Sequence, residues 1–347
     1  MEFYRFFFVC VIYILHIRNY DELGAYDNVF AGGYLAVEFF FILSGFLMAK
    51  KCQKEQENAQ KDAIPEFQSV KFFASRYKRL MPQYLISIVV LLVANSFIFE
   101  NYNIKKTAID SFSEIIGCSI FWRSIWAVNL HLWFVSGLIW AGALVYYLML
   151  KHKNFSICVL FPFSLPLFIG CMYLFVGNID ITPASDIPML AFFRAFVEIG
   201  FGCVLYNIYE YIRNKKFNPV VMTLVEIALF AIIVLIMWKT SHTQTDFIAV
   251  LLIGAFVLVT MLDRGYLSKL LNNRVSGLLG ELSYPMYLNQ LLFQNIAREL
   301  FPDKPFWLIV VDSIAVLMIY SLIITYLLKL IAKMVSHLRK RKATKQG

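Results

Sequence analysis

Two ionisable side chains in the first apolar segments of the chain are candidates for acid–base chemistry. His16 lies toward the end of the first apolar run, and Glu38 lies near the start of the second. A polar side chain at membrane depth is costly, so such residues are usually kept for a function. If the two runs pack as an antiparallel hairpin, Glu38 lies roughly 9 Å below the outer end of its helix, level with His16. Glu38 would then orient the imidazole of His16, which would act as a general base on a hydroxyl group.

A structural interpretation of the same residues stays open. His16 can hydrogen-bond a backbone carbonyl group, and Glu38 can pair with Arg18 or Arg194. Arg194 and Glu198 are i,i+4 neighbours on a predicted helix, where they form an ion pair or shape the outer part of a cavity. Residue type and spacing do not separate the catalytic role from the structural one.

Arginines near the cytoplasmic ends of predicted helices are candidates for binding phosphate groups. Arg76 and Arg79 are i,i+3 neighbours, so their guanidinium groups share one helix face and can form a fork around phosphate oxygens. Arg5 precedes His16 by eleven residues. This spacing places the two side chains within about 20° of one face and about 16 Å apart along the axis. The preference of Lys and Arg for cytoplasmic loops also accounts for charge at these positions.

The elements that position these residues are predicted to be transmembrane helices. Of the 347 residues, 60% are hydrophobic and only 16% are charged, whereas soluble domains carry about a quarter charged residues. Apolar runs close to the ~20 residues needed to cross a bilayer recur along the chain. We therefore predict an all-α polytopic integral membrane protein, a bundle of about ten transmembrane helices. The predicted helices are 1–19, 32–50, 79–99, 131–150, 155–176, 187–208, 219–238, 246–263, 280–300 and 305–332.

The distribution of positive charge predicts the orientation of the bundle. With both termini in the cytoplasm, 22 Lys and Arg residues fall on the inner side and seven on the outer side. This asymmetry predicts a multi-pass protein of the cytoplasmic membrane with both termini cytoplasmic. Residues 1–335 then form a single transmembrane domain, and residues 336–347 form a basic cytoplasmic tail.

Composition also limits which partners are expected for the protein. The net charge of +9 is accounted for by topology and by anionic lipid headgroups, so we expect the lipid bilayer as a partner and no nucleic acid. The six cysteines are scattered without metal-ligand spacing, so we expect no metal.

Five short motifs follow one another over nearly the whole chain. Each motif alone has little specificity, and the combination carries the signal. The motifs are Arg5-x10-His16, Glu38-Phe39-Phe40, Arg76-x-x-Arg79-x-x-Pro82, Leu132-Trp133-Phe134-Val135-Ser136 and Ser283-Tyr284-Pro285-Met286-Tyr287-Leu288.

In this combination and order, the motifs resemble acyltransferase family 3, a family of membrane acyltransferases. The resemblance implies that 1–335 is an acyltransferase domain that uses acetyl-CoA or another acyl-CoA as co-substrate. It also implies an acceptor hydroxyl on a glycan or lipid-linked saccharide, typically exposed on the far side of the membrane. An O-acetyltransferase that modifies polysaccharide is the expected activity.

Site residues follow from the resemblance position by position. Arg5 and His16 match the first-helix motif, and Glu38 matches the acidic residue before the Phe pair. Arg76 and Arg79 match the arginine motif associated with CoA. We therefore expect His16 and Glu38 to be catalytic and the three arginines to bind the cofactor.

The chain departs from the family pattern in the ninth predicted helix. Where many members read Tyr-Leu-x-His, this chain reads Tyr287-Leu288-Asn289-Gln290, which puts an acid–base role at this position in doubt. Gln290 and Gln294, one turn apart, can hydrogen-bond a sugar or hold helices together. We expect Trp133, Tyr287 and Gln290 to contact the substrate.

The resulting hypothesis is acyl transfer inside the membrane domain. Arg76 and Arg79 hold the CoA nucleotide at the inner surface, and the thioester ends near His16. There His16 either deprotonates the acceptor hydroxyl or takes the acyl group itself. His131, beside Trp133, is the next candidate if His16 does not carry the chemistry.

Two further expectations bound this hypothesis. Family members with a fused extracytoplasmic hydrolase-like domain complete the transfer with it, and we expect this chain to act without one or to hand the acyl group to a separate protein. The alternative function is a membrane transporter or lipid-linked glycan flippase without acyl transfer. Such a protein needs no arginine pair at the interface and usually contains internal repeats.

Overall fold

The computed structural model describes residues 1–18, 29–58, 64–122, 124, 126–183, 189–301 and 304–344. Regular structure in this part of the chain is entirely helical, and ten long helices occur where apolar runs predict them. They are α1 (Glu2–Arg18), α2 (Ala36–Asn58), α3 (Pro65–Ile98), α4 (Trp133–Lys151), α5 (Phe161–Phe175), α6 (Met189–Ile212), α7 (Pro219–Lys239), α8 (Thr245–Leu262), α9 (Arg274–Leu300) and α10 (Phe306–Thr344). Shorter helical segments are Gly33–Leu35, Ile104–Asp110, Phe112–Ile115, Lys153–Phe155, Ser156–Leu160 and Tyr266–Leu271.

Seven helical stretches among the described residues are long and apolar enough to cross a membrane. They are α3, α4, α6, α7, α8, the main part of α10, and the stretch Lys153–Phe175 that contains α5. α1 has 17 residues, and α2 and α9 carry charged and amide side chains within their length. The chain is an all-helical polytopic membrane protein, and spanning by α1, α2 and α9 stays a prediction.

The boundaries of α2 and α3 differ from those that hydropathy predicts. The apolar runs place the end of the second helix at residue 50 and the start of the third at residue 79, whereas the helices reach Asn58 and begin at Pro65. Lys, Glu and Gln are good helix formers, so a helix need not stop where its apolar run stops. The inner part of α3 also packs, because the Phe72 ring stacks on Tyr146 of α4 at 4.0 Å.

α2 and α6 pack closely where two glycines face the opposing backbone. A Cβ atom on Gly45 would overlap the carbonyl group of Ile199, and one on Gly202 would overlap the carbonyl group of Ile42. In membranes, small residues let helix backbones approach and gain van der Waals contact. Glu38 lies about two turns before Gly45 on the same face of α2, so this contact brings Glu38 against α6.

α9 lies beside α1 and α3. In the N-terminal part of α9, Gly280 packs directly against Glu2 at the start of α1. One turn further, the Tyr284 hydroxyl donates to the carbonyl oxygen of Leu80 on α3 at 3.0 Å. These contacts set α1 and α9 side by side, so His16 near the end of α1 lies at the level of the amide side chains of α9.

The connection between α3 and α4 folds back into the bundle. The Tyr84 hydroxyl on α3 donates to the backbone carbonyl of Glu114 at 2.8 Å. The buried Glu114 carboxylate in turn accepts the backbone N–H of Asn129 at 3.2 Å. These hydrogen bonds fix the segment that leads into His131 and α4.

Candidate active site

Two histidines meet near the C-terminal end of α1. The ring centroids of His16 and His131 are 4.1 Å apart, and we call these residues the histidine pair. His131 is buried, its backbone N–H donates to Asn129 Oδ1 at 3.2 Å, and its carbonyl oxygen accepts the Tyr287 hydroxyl at 2.7 Å. Two imidazoles in contact can divide the roles of base and acid, because each ring carries one donor and one acceptor when neutral.

Arg194 on α6 lies close to the carboxylate groups of Glu38, Asp180 and Glu198. We call these four residues the ion cluster. Arg194 forms a direct ion pair with Glu38, and its Nε lies 3.5 Å from Glu198 Oε1. Its Nη1 lies 3.7 Å from Asp180 Oδ1 and donates to the Ile181 carbonyl at 3.0 Å. Glu38, Arg194 and Glu198 are completely buried. The main contact of Glu38 is therefore the ion pair with Arg194, which is one of the structural alternatives. The catalytic role of Glu38 stays a prediction.

The ion cluster reaches the surface at the connection before α8. Asp180 Oδ2 lies 3.2 Å from Nε2 of His242, whose imidazole is half-exposed. The backbone N–H of His242 donates to the Tyr34 hydroxyl at 2.6 Å, and this hydroxyl donates to buried Asp246 at 2.6 Å. Burial raises the pKa of Asp180, but the hydrogen bond with His242 and the charge of Arg194 outweigh it, so the pKa lies below its usual range.

Amide side chains line the face of α9 that meets α1. Gln294 Nε2 donates to the carbonyl oxygen of Tyr13 on α1 at 3.4 Å. Gln290, one turn earlier, is completely buried, and neither its Oε1 nor its Nε2 has a hydrogen-bond partner within the described part of the chain. By contrast, the neighbouring Asn289 donates to the Pro285 carbonyl at 2.8 Å. We call Gln290 and Gln294 the amide row.

The arginines predicted to bind CoA lie on α1 and α3, toward the end of the bundle that the charge asymmetry predicts to be cytoplasmic. Arg76 inserts between α2 and α4, where its Nη2 donates to Ser44 Oγ at 2.6 Å and its Nη1 lies against Gly142. Arg76 Nε has no partner among the residues that the structure describes. Arg79 is exposed three residues further along α3. Arg5 pairs with Glu2 at 2.7 Å at the start of α1.

Aromatic rings connect the inner arginines with the histidine pair. Phe40 lies one turn from Ser44 on α2, and its ring centroid is 5.9 Å from that of Phe134 on α4. Phe134 is in turn 5.2 Å from Tyr287, whose hydroxyl holds His131. Trp133 is buried beside the ion cluster, with the Arg194 guanidinium 5.7 Å from its ring. The structure thus brings Tyr287 to the histidine pair and Trp133 to the ion cluster.

Several residues of this region have weak or no signals in the sequence. Asp180, Asn129 and Glu114 lie in connections, where a polar residue is the ordinary expectation. His131 stands out only by its position beside Trp133. Within the described ranges, no group of three or more His, Cys, Asp or Glu residues is arranged to hold a metal ion.

Comparison with known protein families gives a match to the family described as "Acyltransferase domain" over residues 1–330. Among curated proteins, the chain is similar to the peptidoglycan O-acetyltransferase OatA of Listeria monocytogenes, with 22% identity over 286 residues. The similarity covers 74% of this chain and 44% of OatA, so the chain spans less than half the length of this relative. No solved structure matches the chain.

Proposed function

The chain belongs to the acyltransferase family that matches residues 1–330, and on this premise we propose that it moves an acetyl group from cytoplasmic acetyl-CoA to a hydroxyl of an extracytoplasmic glycan. Membership of an acyltransferase family favours this activity over a transporter or flippase without acyl transfer. The relative OatA is named for O-acetylation of peptidoglycan, which supports a glycan as the acceptor here. Both termini are proposed to be cytoplasmic, as the charge asymmetry predicts.

The contact between His16 and His131 is the observation that carries the proposal. It places two imidazoles 4.1 Å apart at the outer end of α1, eleven residues from the arginine at the inner end. A general base at this depth is accessible to an acceptor hydroxyl from the outer side and to the thioester of acyl-CoA from the cytoplasmic side. His16 takes the proton of the acceptor hydroxyl, and the hydroxyl oxygen forms a bond to the thioester carbonyl carbon. When the C–S bond breaks, the CoA sulfur takes a proton from the imidazolium.

A covalent route uses the same residues. His16 attacks the thioester first, CoA thiol leaves, and the acyl-imidazole is then attacked by the acceptor hydroxyl with His131 as base. In both routes, the acyl group crosses from donor to acceptor without a water molecule as the attacking group. The buried aromatic rings of Phe134 and Tyr287 beside the histidine pair support exclusion of water.

CoA is proposed to bind with its phosphates at Arg79 and Arg76 and with its pantetheine arm along Phe40 and Phe134. The unpartnered Nε of Arg76 supports this assignment, because a buried guanidinium N–H without an acceptor is costly. We expect Arg79→Ala to weaken CoA binding by about 10- to 100-fold, the equivalent of one charge-assisted hydrogen bond. Arg79→Lys should recover only part of the affinity, because an ammonium group lacks the planar fork.

The control for this measurement is Lys78→Ala, which removes a neighbouring exposed cation from the same helix. Calorimetry with CoA should give the unchanged protein and Lys78→Ala similar affinities. Equal losses in Lys78→Ala and Arg79→Ala would show that only the overall positive charge of this surface matters.

The experiment that tests the activity uses inside-out membrane vesicles with the acceptor glycan sealed inside. Isotopically labelled acetyl-CoA is added outside, on the face that was cytoplasmic. We expect label in the enclosed glycan with the unchanged protein. His16→Ala should reduce it by about 10²- to 10⁴-fold, as for loss of a general base. His152→Ala removes an exposed histidine at the inner end of α4 and should leave transfer unchanged.

Two results would contradict the proposal. Full transfer by folded His16→Ala protein would move the chemistry away from the histidine pair. Label that reaches only glycan added outside the vesicles would place donor and acceptor on one side of the membrane.

A further inference from the structure

The Gln290 amide is a buried polar group for which the fold supplies no partner. Its side chain is completely buried, and neither of its two terminal atoms has a hydrogen-bond partner among the described residues. This holds whichever way round the amide is oriented. A buried polar group left without a partner costs about 1–3 kcal/mol, and among the buried amides of the described residues Gln290 is the one with both terminal atoms unpartnered. A ligand that brings its own acceptor or donor would account for the amide.

The surroundings of Gln290 connect it to both members of the histidine pair. One turn earlier on α9, Tyr287 donates to the His131 carbonyl at 2.7 Å. One turn later, Gln294 donates to the carbonyl oxygen of Tyr13, three residues before the histidine of α1, at 3.4 Å. Gln290 therefore lies on α9 between the contact with one histidine segment and the contact with the other.

The neighbouring amide shows that this helix can satisfy such groups. Asn289 is also buried, but it donates to the carbonyl of Pro285 on its own helix at 2.8 Å. Successive residues of a helix differ in direction by about 100°, so Asn289 and Gln290 face different surroundings. Tyr287 and Gln294 differ from Gln290 by about 60° and 40°, so these three side chains share one face.

The reaction at this place creates a charge that an amide N–H can stabilise. When a nucleophile attacks a thioester, the electrons of the C=O bond move to the oxygen, and this oxygen becomes negative until the C–S bond breaks. Preorganised N–H donors aimed at that oxygen lower the barrier, and loss of one donor typically costs about 10²–10³ in rate. A glutamine is suited to this role because it stays neutral, so its donor does not depend on pH.

We propose that Gln290 Nε2 donates a hydrogen bond to the carbonyl oxygen of the acyl group held at the histidine pair. This inference rests on the proposed function, since it needs an acyl donor there. The acceptor proton goes to an imidazole, the electron pair goes through the carbonyl oxygen to the leaving sulfur, and Gln290 gains and loses no atom. By this proposal Gln290 is a catalytic residue, because its side chain contacts the reacting carbonyl group.

A helix-bridging role predicts the opposite behaviour in a stability measurement. An amide that bonds two helices stabilises the bundle, so its removal lowers the unfolding temperature. An amide without a partner destabilises it, so an apolar side chain of the same length leaves the unfolding temperature unchanged or raises it. Gln290→Met makes this replacement with an unbranched side chain of similar size.

The first experiment compares Gln290→Met with Asn289→Leu as the matched control. For Gln290→Met, we expect kcat to fall by about 10²- to 10³-fold, with CoA affinity unchanged and an unfolding temperature equal to or above that of the unchanged protein. For Asn289→Leu, we expect kcat to stay within a few-fold. Unchanged kcat in Gln290→Met, or a fall in kcat that follows a fall in unfolding temperature, would overturn the inference.

The second experiment observes the carbonyl group directly. Isotope-edited infrared spectra of acetyl-CoA labelled with ¹³C at the carbonyl carbon are recorded on His16→Ala protein, in which transfer is blocked. We expect the C=O band of bound ligand at lower wavenumber than that of free acetyl-CoA. The band should return toward the free position in His16→Ala/Gln290→Met but not in His16→Ala/Asn289→Leu.

The two proposals can fail separately in this measurement. If labelled acetyl-CoA bound to His16→Ala stays intact but its C=O band is not shifted, the role of Gln290 is wrong and the histidine assignment is unaffected. Release of CoA thiol from acetyl-CoA by His16→Ala at the unchanged rate removes the histidine assignment and the Gln290 role together.

Discussion

Two groups of polar residues in the bundle, the ion cluster and the amide row, differ in how the protein pairs them. In the ion cluster, Arg194 lies within 4 Å of Glu38, Asp180 and Glu198. In the amide row, Gln290 has no hydrogen-bond partner among the described residues. The four residues of the ion cluster are therefore held together by charge, although neither oxygen of Glu198 has a hydrogen-bond partner among the described residues, whereas no contact of this kind holds the Gln290 amide.

This difference separates two uses of polarity in a membrane interior. The ion pairs of Arg194 hold α2, α6 and the connection before α6 in one arrangement, and removing Arg194 leaves uncompensated buried charge. The Gln290 amide is buried without a hydrogen bond to the described residues, so its polar atoms add nothing to stability and can bind a ligand that supplies a partner. We therefore expect substitutions in the ion cluster to act mainly on stability and substitution of Gln290 to act mainly on turnover.

The largest expected effect is on turnover, at the histidine pair. His16→Ala and His131→Ala should each lower the transfer rate by about 10²–10⁴. Since the two imidazoles act as one unit, the double variant should be little slower than the slower single variant. Rates are measured with labelled acetyl-CoA, and unfolding temperatures in detergent serve as the control. Losses that multiply in the double variant would show that the two histidines act independently.

The next effect is on stability, at the ion cluster. Arg194→Met leaves Glu38 and Glu198 facing each other without a cation and should cost about 3–5 kcal/mol of unfolding free energy. The control Arg213→Met removes an exposed partner of Glu210 and should cost at most about 1 kcal/mol. Both are followed by thermal unfolding in detergent. A fully stable Arg194→Met protein that has lost only transfer would break the comparison, because the ion cluster would then belong to the chemistry.

A smaller loss of stability is expected for substitution of Gly202, which lets α2 and α6 pack closely beside the ion cluster. Gly202→Ala places a Cβ atom against the Ile42 carbonyl and should cost about 1–3 kcal/mol, the range for overpacking. In the control Gly277→Ala, the added Cβ meets no atom within 4 Å. That variant should be neutral or slightly more stable, because Ala favours the helix. Equal unfolding temperatures for the two variants would mean that α2 and α6 are not held at this spacing.

The smallest effect is expected at the surface end of the ion cluster. The pKa of Asp180 lies below its usual value of 3.8, because the bond with His242 and the charge of Arg194 outweigh burial. A carboxylate with a lowered pKa in the folded protein stabilises it above the usual pKa, and this contribution is lost as pH falls through the lowered value. Asp180→Asn should therefore be less stable than the unchanged protein by at most about 1 kcal/mol at pH 7.

The difference between the two proteins should be present at pH 7 and should disappear as the pH is lowered below 3.8. Unfolding temperatures over this range provide the measurement. A difference that persists well below pH 3.8 would mean that ionisation of Asp180 does not stabilise the folded protein.

Hydropathy predicts the helices well because bilayer thickness dictates the length of an apolar run. It fails at the inner ends of α2 and α3, where helix propensity and the stacking of Phe72 on Tyr146 continue the helices into polar sequence. Pairing of Arg194 with Glu198 follows from i,i+4 spacing and is confirmed by the ion pair between them. The lengths of the apolar runs and the pair of Arg194 with Glu198 are set by neighbours along the chain, whereas the stacking of Phe72 on Tyr146 joins distant residues.

The arrangement of the candidate site depends on contacts between distant segments. The meeting of His16 with His131 joins the end of a helix to an irregular connection, and neither residue carries a periodic signal for it. Gln290 is recognisable in the sequence as an amide in an apolar run, but its lack of a partner becomes visible only when α1, α9 and the segment before α4 are assembled.

The extension of α3 beyond its apolar run bears on proteolysis. Proteases of the trypsin type cleave after Lys and Arg in locally extended backbone, and cleavage within a helix waits for local unfolding. Lys71, Arg76 and Arg79 all lie inside α3, and Arg76 is also tied to Ser44 of α2. Digestion at these sites therefore reports the opening of one helix end at the proposed CoA site, and its rate gives a simple readout of that opening in native membranes.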